Sequence, residues 1–355
     1  MLYHWRHHTR SASHAQDGRL RCHKAGNLVL QNTLKRRAIS GSVEPTTFYN
    51  HFRVRREIVK TPMVSIIIPF RDQPTLLDTC LKSITNKTTW QNYEVIGISN
   101  NSTDPKTHLM QQKWSHSHSN ISFFSCDRPF NYSALNNTAV QHASGEYLIL
   151  LNNDIEIISP DWIQSLLEHA QRPEVGCVGG LLYYPDGTIQ HAGIAIGIGG
   201  FAGRPHRRAP GKSTGYFHRN ILTRNVSAVT GALMMVKKNK YLEVGGLDEV
   251  NLAISLNDVD FCLRLMEKGY IHVYTPYCMA IHAESVSRGF EDSPEKKARF
   301  QNEITYFRAR HAQIIEQGDP YYNPNFTRKS ENMAICINQG DLPVIGCLCR
   351  KDRKG

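Results

Sequence analysis

The side chains best suited to chemistry stand at the end of a short apolar run. Tyr147 to Leu151 reads as a buried strand, and it delivers Asn152, Asn153 and Asp154, whose oxygens are hard, metal-capable donors. A strand fixes such groups in place while the loop after it admits a ligand. The same residue types also favour a plain turn, so both readings stand at this level. A second pair, Asp258 and Asp260, opens an apolar-striped segment. On a helix the two point about 200° apart and cannot both face one reaction. Asp258 also suits N-terminal capping, which is compatible with catalysis.

Two phosphate motifs fail on context. Gly197-Ile-Gly199-Gly-Phe-Ala202 fits a loose dinucleotide fingerprint, but Pro205 blocks the helix it needs and no acidic residue follows until Glu243. Gly211-Lys212-Ser213 ends like a P-loop, yet His206 stands where the first glycine belongs.

The elements that must position these groups alternate in type. Val64 to Ile68 is a strand stopped by Pro69, and Pro74 opens a helix with Leu76, Leu77, Cys80, Leu81 and Ile84 on one face. Strands follow over 93–98, 121–124 and 147–151, with a helix over 133–142. Ser159-Pro160 reads as an N-cap and first helical residue, with Trp162, Ile163, Leu166 and Leu167 facing inward. A strand over 232–236, a helix over 258–268 and a strand over 270–274 complete the pattern. Such alternation predicts an α/β fold with a mostly parallel sheet, helices on both faces and ligands at the carboxyl ends of the strands.

With 355 residues, 40% of them apolar, the chain can bury a large core. No apolar run reaches the roughly 18 residues that span a bilayer, and no signal-peptide pattern opens the sequence. Nine scattered Cys suit reduced thiols better than a disulfide framework, and together these features point to the cytoplasm. The charge of +11 is lopsided: residues 1–62 hold 12 Lys and Arg against three acids. This basic leader fits peripheral contact with an anionic membrane surface or a solvated linker. No nucleic-acid-reading motif accompanies it.

Six segments in order, Val64-Ser-Ile-Ile-Ile-Pro-Phe-Arg-Asp72, Tyr93-Glu-Val-Ile-Gly-Ile-Ser-Asn-Asn-Ser-Thr-Asp104, Leu151-Asn-Asn-Asp154, Thr230-Gly-Ala232, Gly245-Gly-Leu-Asp248 and Asn257-Asp-Val-Asp-Phe-Cys-Leu-Arg264, closely resemble the family 2 glycosyltransferases of GT-A fold. The resemblance runs from about Met63 to Thr327 and is greatest toward bacterial enzymes of O-antigen, capsule and rhamnan assembly. It implies a Rossmann-like GT-A domain over 63–327 that is metal-dependent and inverting. Such an enzyme moves a sugar from a dTDP-, UDP- or GDP-linked donor to a glycan or lipid-linked acceptor, with rhamnose one candidate sugar.

The resemblance also assigns roles. Asp154 falls where the family's Asp-x-Asp pattern holds Mg²⁺ or Mn²⁺, which would neutralise charge building on the diphosphate. His282 resembles the late His that joins the metal or diphosphate, although a lone His is as often structural. Asp258 takes the place of the base that receives the acceptor hydroxyl's proton. Pro69, Phe70, Arg71, Asp72, Ser99, Asn101, Asn152 and Asn153 fall in the donor nucleotide-binding segments. His191, Gly231, Arg264, Ser285 and Arg288 are further candidates for acceptor or diphosphate contact; His191 is equally suited to packing, and Ser285, Ser287 and Arg288 to ordering a loop.

Departures from the family pattern are Ser99, where an Asp usually helps hold the nucleoside, Asn152 at the first acidic position, and Ala283, where a second His is common. They keep open a degenerate sugar-nucleotide-binding module without turnover. A sugar-phosphate nucleotidyltransferase is the other alternative, but Pro69-Phe-Arg-Asp-Gln-Pro74 lacks its Gly-rich basic loop. Leu2-Tyr-His-Trp-Arg6, followed by Ser11 and Ser13, echoes the later His282–Ser287 pattern, as if residues 1 to about 60 were the edge of an upstream glycosyltransferase domain. Residues 328–355 fit no family segment and are expected to be loosely ordered.

Overall fold

A computed structural model describes residues 16–284 and 293–336. Helix α1 (Gln16–Arg36) leads into an antiparallel hairpin of β1 (Gly41–Pro45) and β2 (Phe52–Arg56). Alternation then begins: β3 (Val64–Phe70), α2 (Pro74–Lys87), β4 (Tyr93–Ser99), α3 (Pro105–Ser117), β5 (Ile121–Ser125), α4 (Tyr132–His142) and β6 (Tyr147–Leu151). Next come β7 (Ile155–Ile157), α5 (Trp162–Ala170), β8 (Val175–Tyr183), β9 (Ile189–His191), β10 (Ala195–Ile196), β11 (Ala202–Gly203), β12 (Arg224–Val226) and β13 (Leu233–Lys237). The chain continues with α6 (Lys238–Glu243), α7 (Asn257–Glu267), β14 (Ile271–His282), α8 (Pro294–Arg310) and α9 (Ala312–Gln317).

The main sheet runs β12-β14-β8-β13-β6-β3-β4-β5, with β7 beside β14 and β9 beside β8. Strands β6, β3, β4 and β5 are mutually parallel, β13 runs against both β6 and β8, and β14 is parallel to β8. Apart from β12 and β13, the strands along that path therefore share one direction, and their carboxyl ends meet along one edge. Alternation along β3 sends Ile66 and Ile68 into a layer with Leu77, Leu81, Trp162 and Leu166, while Ile67 joins Leu135, Val140, Val259 and Phe261 on the other face.

Several elements were silent in the sequence, and three of them bear directly on the central sheet. Helix α3 buries only Thr107, Met110 and Trp114, too thin a stripe to register as periodic; Asp104 caps it by accepting a hydrogen bond from the Lys106 N–H. Strand β8 carries Gly176, Gly179 and Gly180, poor strand formers. They are needed because a Cβ at Gly179 would lie 2.6 Å from Val229 and one at Gly180 would lie 2.4 Å from the Cys278 carbonyl oxygen. The third is β7, only three residues long. Helix α5 begins at Trp162 rather than after Ser159, whose hydroxyl instead accepts the Met279 N–H at 2.9 Å and ties the turn to β14.

Residues 16–56 of the expected basic leader form α1 and the hairpin. The hairpin docks on α5 through charge: Arg55 Nε lies 2.9 Å from Glu168 Oε1, Arg53 approaches Glu168 and Asp161, and the Arg53 guanidinium lies 3.9 Å from the ring centroid of Tyr277 on β14. Glu168 is 3% exposed. Burial pushes its carboxyl above the usual range even with Arg53 and Arg55 beside it. The motif around His4 and Trp5, together with Ser285, Ser287, Arg288, Cys347 and Cys349, lies outside the described residues. From the tail expected to be loose, Met333 is buried against Tyr322 and Phe326.

Candidate active site

A cleft of about 740 Å³ opens where β3, β6 and β14 end and β13 and α7 begin, bounded by Asn152, Asp154, Gly231, Asp258 and His282. Its first half is the turn between β6 and β7. Asp154 is buried, and its Oδ1 receives no hydrogen bond although His282 Nε2 lies 3.1 Å away. Neighbouring Asn153 buries an unpartnered Nδ2. Asn152 donates from Nδ2 toward His282 Nε2 at 3.2 Å, and its Oδ1 lies 3.1 Å from the Tyr132 hydroxyl. His282 reaches this point because β14 runs on beyond its pairing with β12 and, still flanked by β8, takes β7 as a partner, setting His282 opposite Ile155.

The second half is the start of α7. Leu256 precedes it with φ 61°, a left-handed entry that turns the chain sharply into the helix. Asp258 Oδ2 accepts the Gly231 N–H at 2.8 Å and Oδ1 accepts the Val259 N–H at 2.8 Å. Burial pushes this carboxyl above the ordinary Asp range, against those two hydrogen bonds and the more distant Arg204. Gly231 is where both halves join, since the Tyr132 hydroxyl also lies 3.0 Å from the Gly231 carbonyl oxygen. A Cβ at Gly231 would stand 3.3 Å from Asp258 Cβ, so the close approach leaves little room for a side chain.

The nucleotide candidates form a connected cluster at the ends of β3 and β4. Pro69, Phe70 and Arg71 line the cleft; Asp72, Ser99 and Asn101 stand behind it. Asp72, at φ 47°, accepts the Thr103 and Asp104 N–H groups through Oδ1, each at 2.9 Å. Ser99 donates to Ser102 Oγ at 2.8 Å, so the hydroxyl at this position is turned into the loop. Asn101, at φ 52°, clasps the Arg128 carbonyl oxygen at 2.7 Å.

Two further candidates do not reach the cleft. His191 is fully buried, with Nδ1 2.9 Å from the Gly180 carbonyl oxygen and Nε2 accepting the Thr230 N–H. Burial pulls its pKa down to about 3, so it is a neutral brace behind Thr230 and Gly231 rather than an acceptor contact. Arg264 is consumed by Asp260 and by the carbonyls of Val244 and Gly246, pinning the Gly245-Gly246 loop. Asp260 itself sits among Arg264, Arg310 and His311, away from the reaction. Ser285 and Arg288 lie outside the described residues.

Sequence reasoning missed Gln190, Tyr132, Arg204 and Glu284. Arg204 and Glu284 both line the cleft and pair at 3.2 Å. Burial works against the Glu284 charge, but Arg204 prevails and holds its pKa below the usual range. The only signal for Arg204 was the absence of acids between Gly187 and Leu242; a lone Gln or Tyr carries none.

The donor set of the first half fits a divalent cation. A buried carboxylate oxygen without a donor faces an imidazole nitrogen at 3.1 Å, and neighbouring ligands of an octahedral ion lie about 3 Å apart. The carboxylate oxygen suits a hard ion such as Mg²⁺ or Mn²⁺, and the imidazole nitrogen tilts that choice toward the transition metal Mn²⁺. A second cluster, Cys177, Cys262 and His272, is close enough to mimic a metal site. Its His272 nitrogens are already taken by the Cys177 N–H and the Cys262 carbonyl oxygen, so it is a packed core group.

Comparison with known proteins gives these features a context. The family model for glycosyl transferase family 2 matches residues 65–243. An uncharacterized protein of Sinorhizobium fredii is 40% identical over 94% of this chain and 37% of its own length. The O-antigen biosynthesis protein RfbC of Myxococcus xanthus is 38% identical over 92% of this chain and 25% of its own. The chain thus spans about a third and a quarter of these relatives. Among solved structures, a mannosyltransferase of Pyrobaculum calidifontis in complex with GDP-Man and Mn²⁺ aligns with a TM-score of 0.51 at 16% identity, covering 84% of this chain and 74% of that one. At that identity the likeness supports the GT-A fold alone.

Proposed function

The chain belongs to glycosyl transferase family 2, and on that premise we propose that it is a metal-dependent inverting glycosyltransferase. It moves a sugar from a nucleotide-diphosphate donor to a glycan or lipid-linked acceptor in cell-surface polysaccharide synthesis. The observation that carries this reading is the pairing, in one cleft, of a donorless carboxylate beside an imidazole with a separate carboxylate of raised pKa at a helix start. Those are the two needs of the reaction, one at the leaving diphosphate and one at the incoming hydroxyl.

Asp154 and His282 would hold the cation, with Asn152 beside them. When bound, Mg²⁺ or Mn²⁺ supplies a Lewis acid for the charge on the leaving phosphate oxygen. Pro69, Phe70 and Arg71 bound the donor, with Asp72, Ser99 and Asn101 shaping the loops behind them. Asp258 accepts the proton of the acceptor hydroxyl as its oxygen bonds to the anomeric carbon and the bond from that carbon to the diphosphate breaks. Burial keeps this carboxyl nearer its operating range than a solvated Asp, which favours proton transfer. Gly231 fixes it from below through its N–H. By resemblance alone Ser285 and Arg288, outside the described residues, are assigned to acceptor or diphosphate contact, and the donor carries dTDP, UDP or GDP.

No helix among the described residues is long and apolar enough to cross a membrane. Peripheral contact on the cytoplasmic face through the basic residues of 1–62 would bring the cleft to a lipid-linked acceptor. Residues 63–327 are the catalytic unit in this reading.

A thermal-shift screen of UDP-, GDP- and dTDP-sugars with and without Mn²⁺ tests it, because a ligand that binds only the folded state raises the melting temperature. Stabilisation should need both metal and diphosphate. Tight donor binding with no hydrolysis and no transfer to any glycan or lipid extract would instead mean a binding module.

A further inference from the structure

Gln190 and His191 are consecutive residues of β9 and therefore serve opposite sides of the strand. His191 braces the turn behind Asp258, as described above. Gln190 turns toward the other half of the cleft, where its Oε1 lies 2.7 Å from His282 Nδ1. Its Nε2 donates to the His282 carbonyl oxygen at 3.3 Å and lies 3.4 Å from Glu284 Oε2. Both of those partners are acceptors, so the amide has one sensible orientation: nitrogen toward them, oxygen toward the imidazole. Gln190 is fully buried, which leaves no bulk water to take over either role.

That orientation fixes the ring. An amide oxygen at 2.7 Å can only accept, so the proton sits on Nδ1 and the lone pair on Nε2. Nε2 is the atom 3.1 Å from Asp154 Oδ1. In the opposite tautomer Nε2 would carry the proton, donate it to Asp154 and close the position a cation needs. Asp154 Oδ1, which has no other donor, favours that collapse whenever the Nδ1 side is released.

We propose that Gln190 is a positioning residue that holds His282 in its Nδ1–H tautomer and thereby keeps the Asp154–His282 pair open to a divalent cation. The proposal rests on the metal-dependent reading of this cleft. Glu284, held in turn by Arg204, is the outer support of the same amide. Hydrogen-bonded supports of this kind typically change metal affinity by about 10- to 100-fold when removed.

The test uses the full chain with Gln190→Met, which keeps the shape and removes both amide bonds, and Gln190→Glu, which keeps an acceptor at Nδ1. Two readouts are taken: the His282 tautomer from long-range proton–nitrogen correlation spectra, assigned against His282→Asn, and free Mn²⁺ by electron paramagnetic resonance. Expected are an Nδ1–H ring in the wild type and in Gln190→Glu, an Nε2–H ring in Gln190→Met, and Mn²⁺ binding about 10- to 100-fold weaker in Gln190→Met alone. An unchanged tautomer or unchanged Mn²⁺ affinity in Gln190→Met overturns the proposal. If Gln190→Met does not fold, an Nε2–H ring in the wild type or a loss of the Nδ1–H ring in Gln190→Glu does so. A wild type that binds no Mn²⁺ refutes the metal-dependent reading, while its tautomer still reports on Gln190.

Discussion

Replacing Asp258 by Asn removes the proposed base while keeping nearly the same shape. Both carboxylate oxygens accept backbone N–H groups, from Gly231 and Val259. An amide can present only one oxygen, so one of those N–H groups then faces an NH₂, at a cost of about 1–3 kcal/mol. Working the other way, the carboxyl's pKa is raised by burial, so its charged form costs stability once the pH passes the folded-state pKa. That contribution is favourable below the unfolded pKa and lost as the pH rises through the folded one, so at neutral pH the neutral Asn regains part of what the hydrogen bond loses. The net change in stability should therefore be small, and the variant should fold. The change in rate should not be small: losing a positioned base costs about 10²- to 10⁴-fold, or roughly 2.7–5.4 kcal/mol of barrier. Sugar transfer and donor hydrolysis with Mn²⁺ are the assays, read against pH. In the wild type the acid limb should fall as the pH drops through a pKa above the ordinary Asp value, and in Asp258→Asn that limb should vanish. A variant within tenfold of wild type, or one that keeps the limb, refutes the assignment.

Other residues give further checks. Gly231→Ala would place a Cβ 3.3 Å from Asp258 Cβ, so turnover should fall by about tenfold with donor-induced thermal stabilisation preserved. Tyr132→Phe removes the hydroxyl between Asn152 and Gly231; chemical denaturation should show a loss of about 1 kcal/mol, with turnover lowered as well. Arg53→Ala with Arg55→Ala strands the buried Glu168 carboxylate and should cost about 3–5 kcal/mol in urea unfolding, much of it recovered by adding Glu168→Gln. Because burial raises the Glu168 pKa, the penalty in the Arg-deleted protein should ease as the pH is lowered toward that pKa.

The legible parts of the fold were those with strong periodicity. β3, α2, β4 and β6 announced themselves through continuous apolar runs and a helical stripe, and the order of motifs marked Asp154, Asp258 and His282 before any coordinates. What stayed hidden depends on contacts between distant segments. Gly176, Gly179 and Gly180 look like loop residues until His272, Val229 and Cys278 are seen pressing on the strand. Gln190 and Tyr132 act through hydrogen bonds to residues as far as 94 and 99 positions away, which leave no local pattern. His191 and Arg264 were attractive by residue type and turned out to serve the backbone, because charge and imidazole nitrogens are as useful for bracing loops as for touching substrate.

The grip of Arg53 and Arg55 on Glu168 bears on how this enzyme can be divided or recombined. The family match begins at residue 65, a natural-looking cut. A polypeptide trimmed there would discard the two guanidiniums that neutralise a buried carboxylate, one of which, Arg53, also covers Tyr277, five positions before His282 on the same strand. Chimeras that exchange this module between family 2 relatives should therefore take their upstream junction before Gly41, so that hairpin and main sheet travel as one inherited piece.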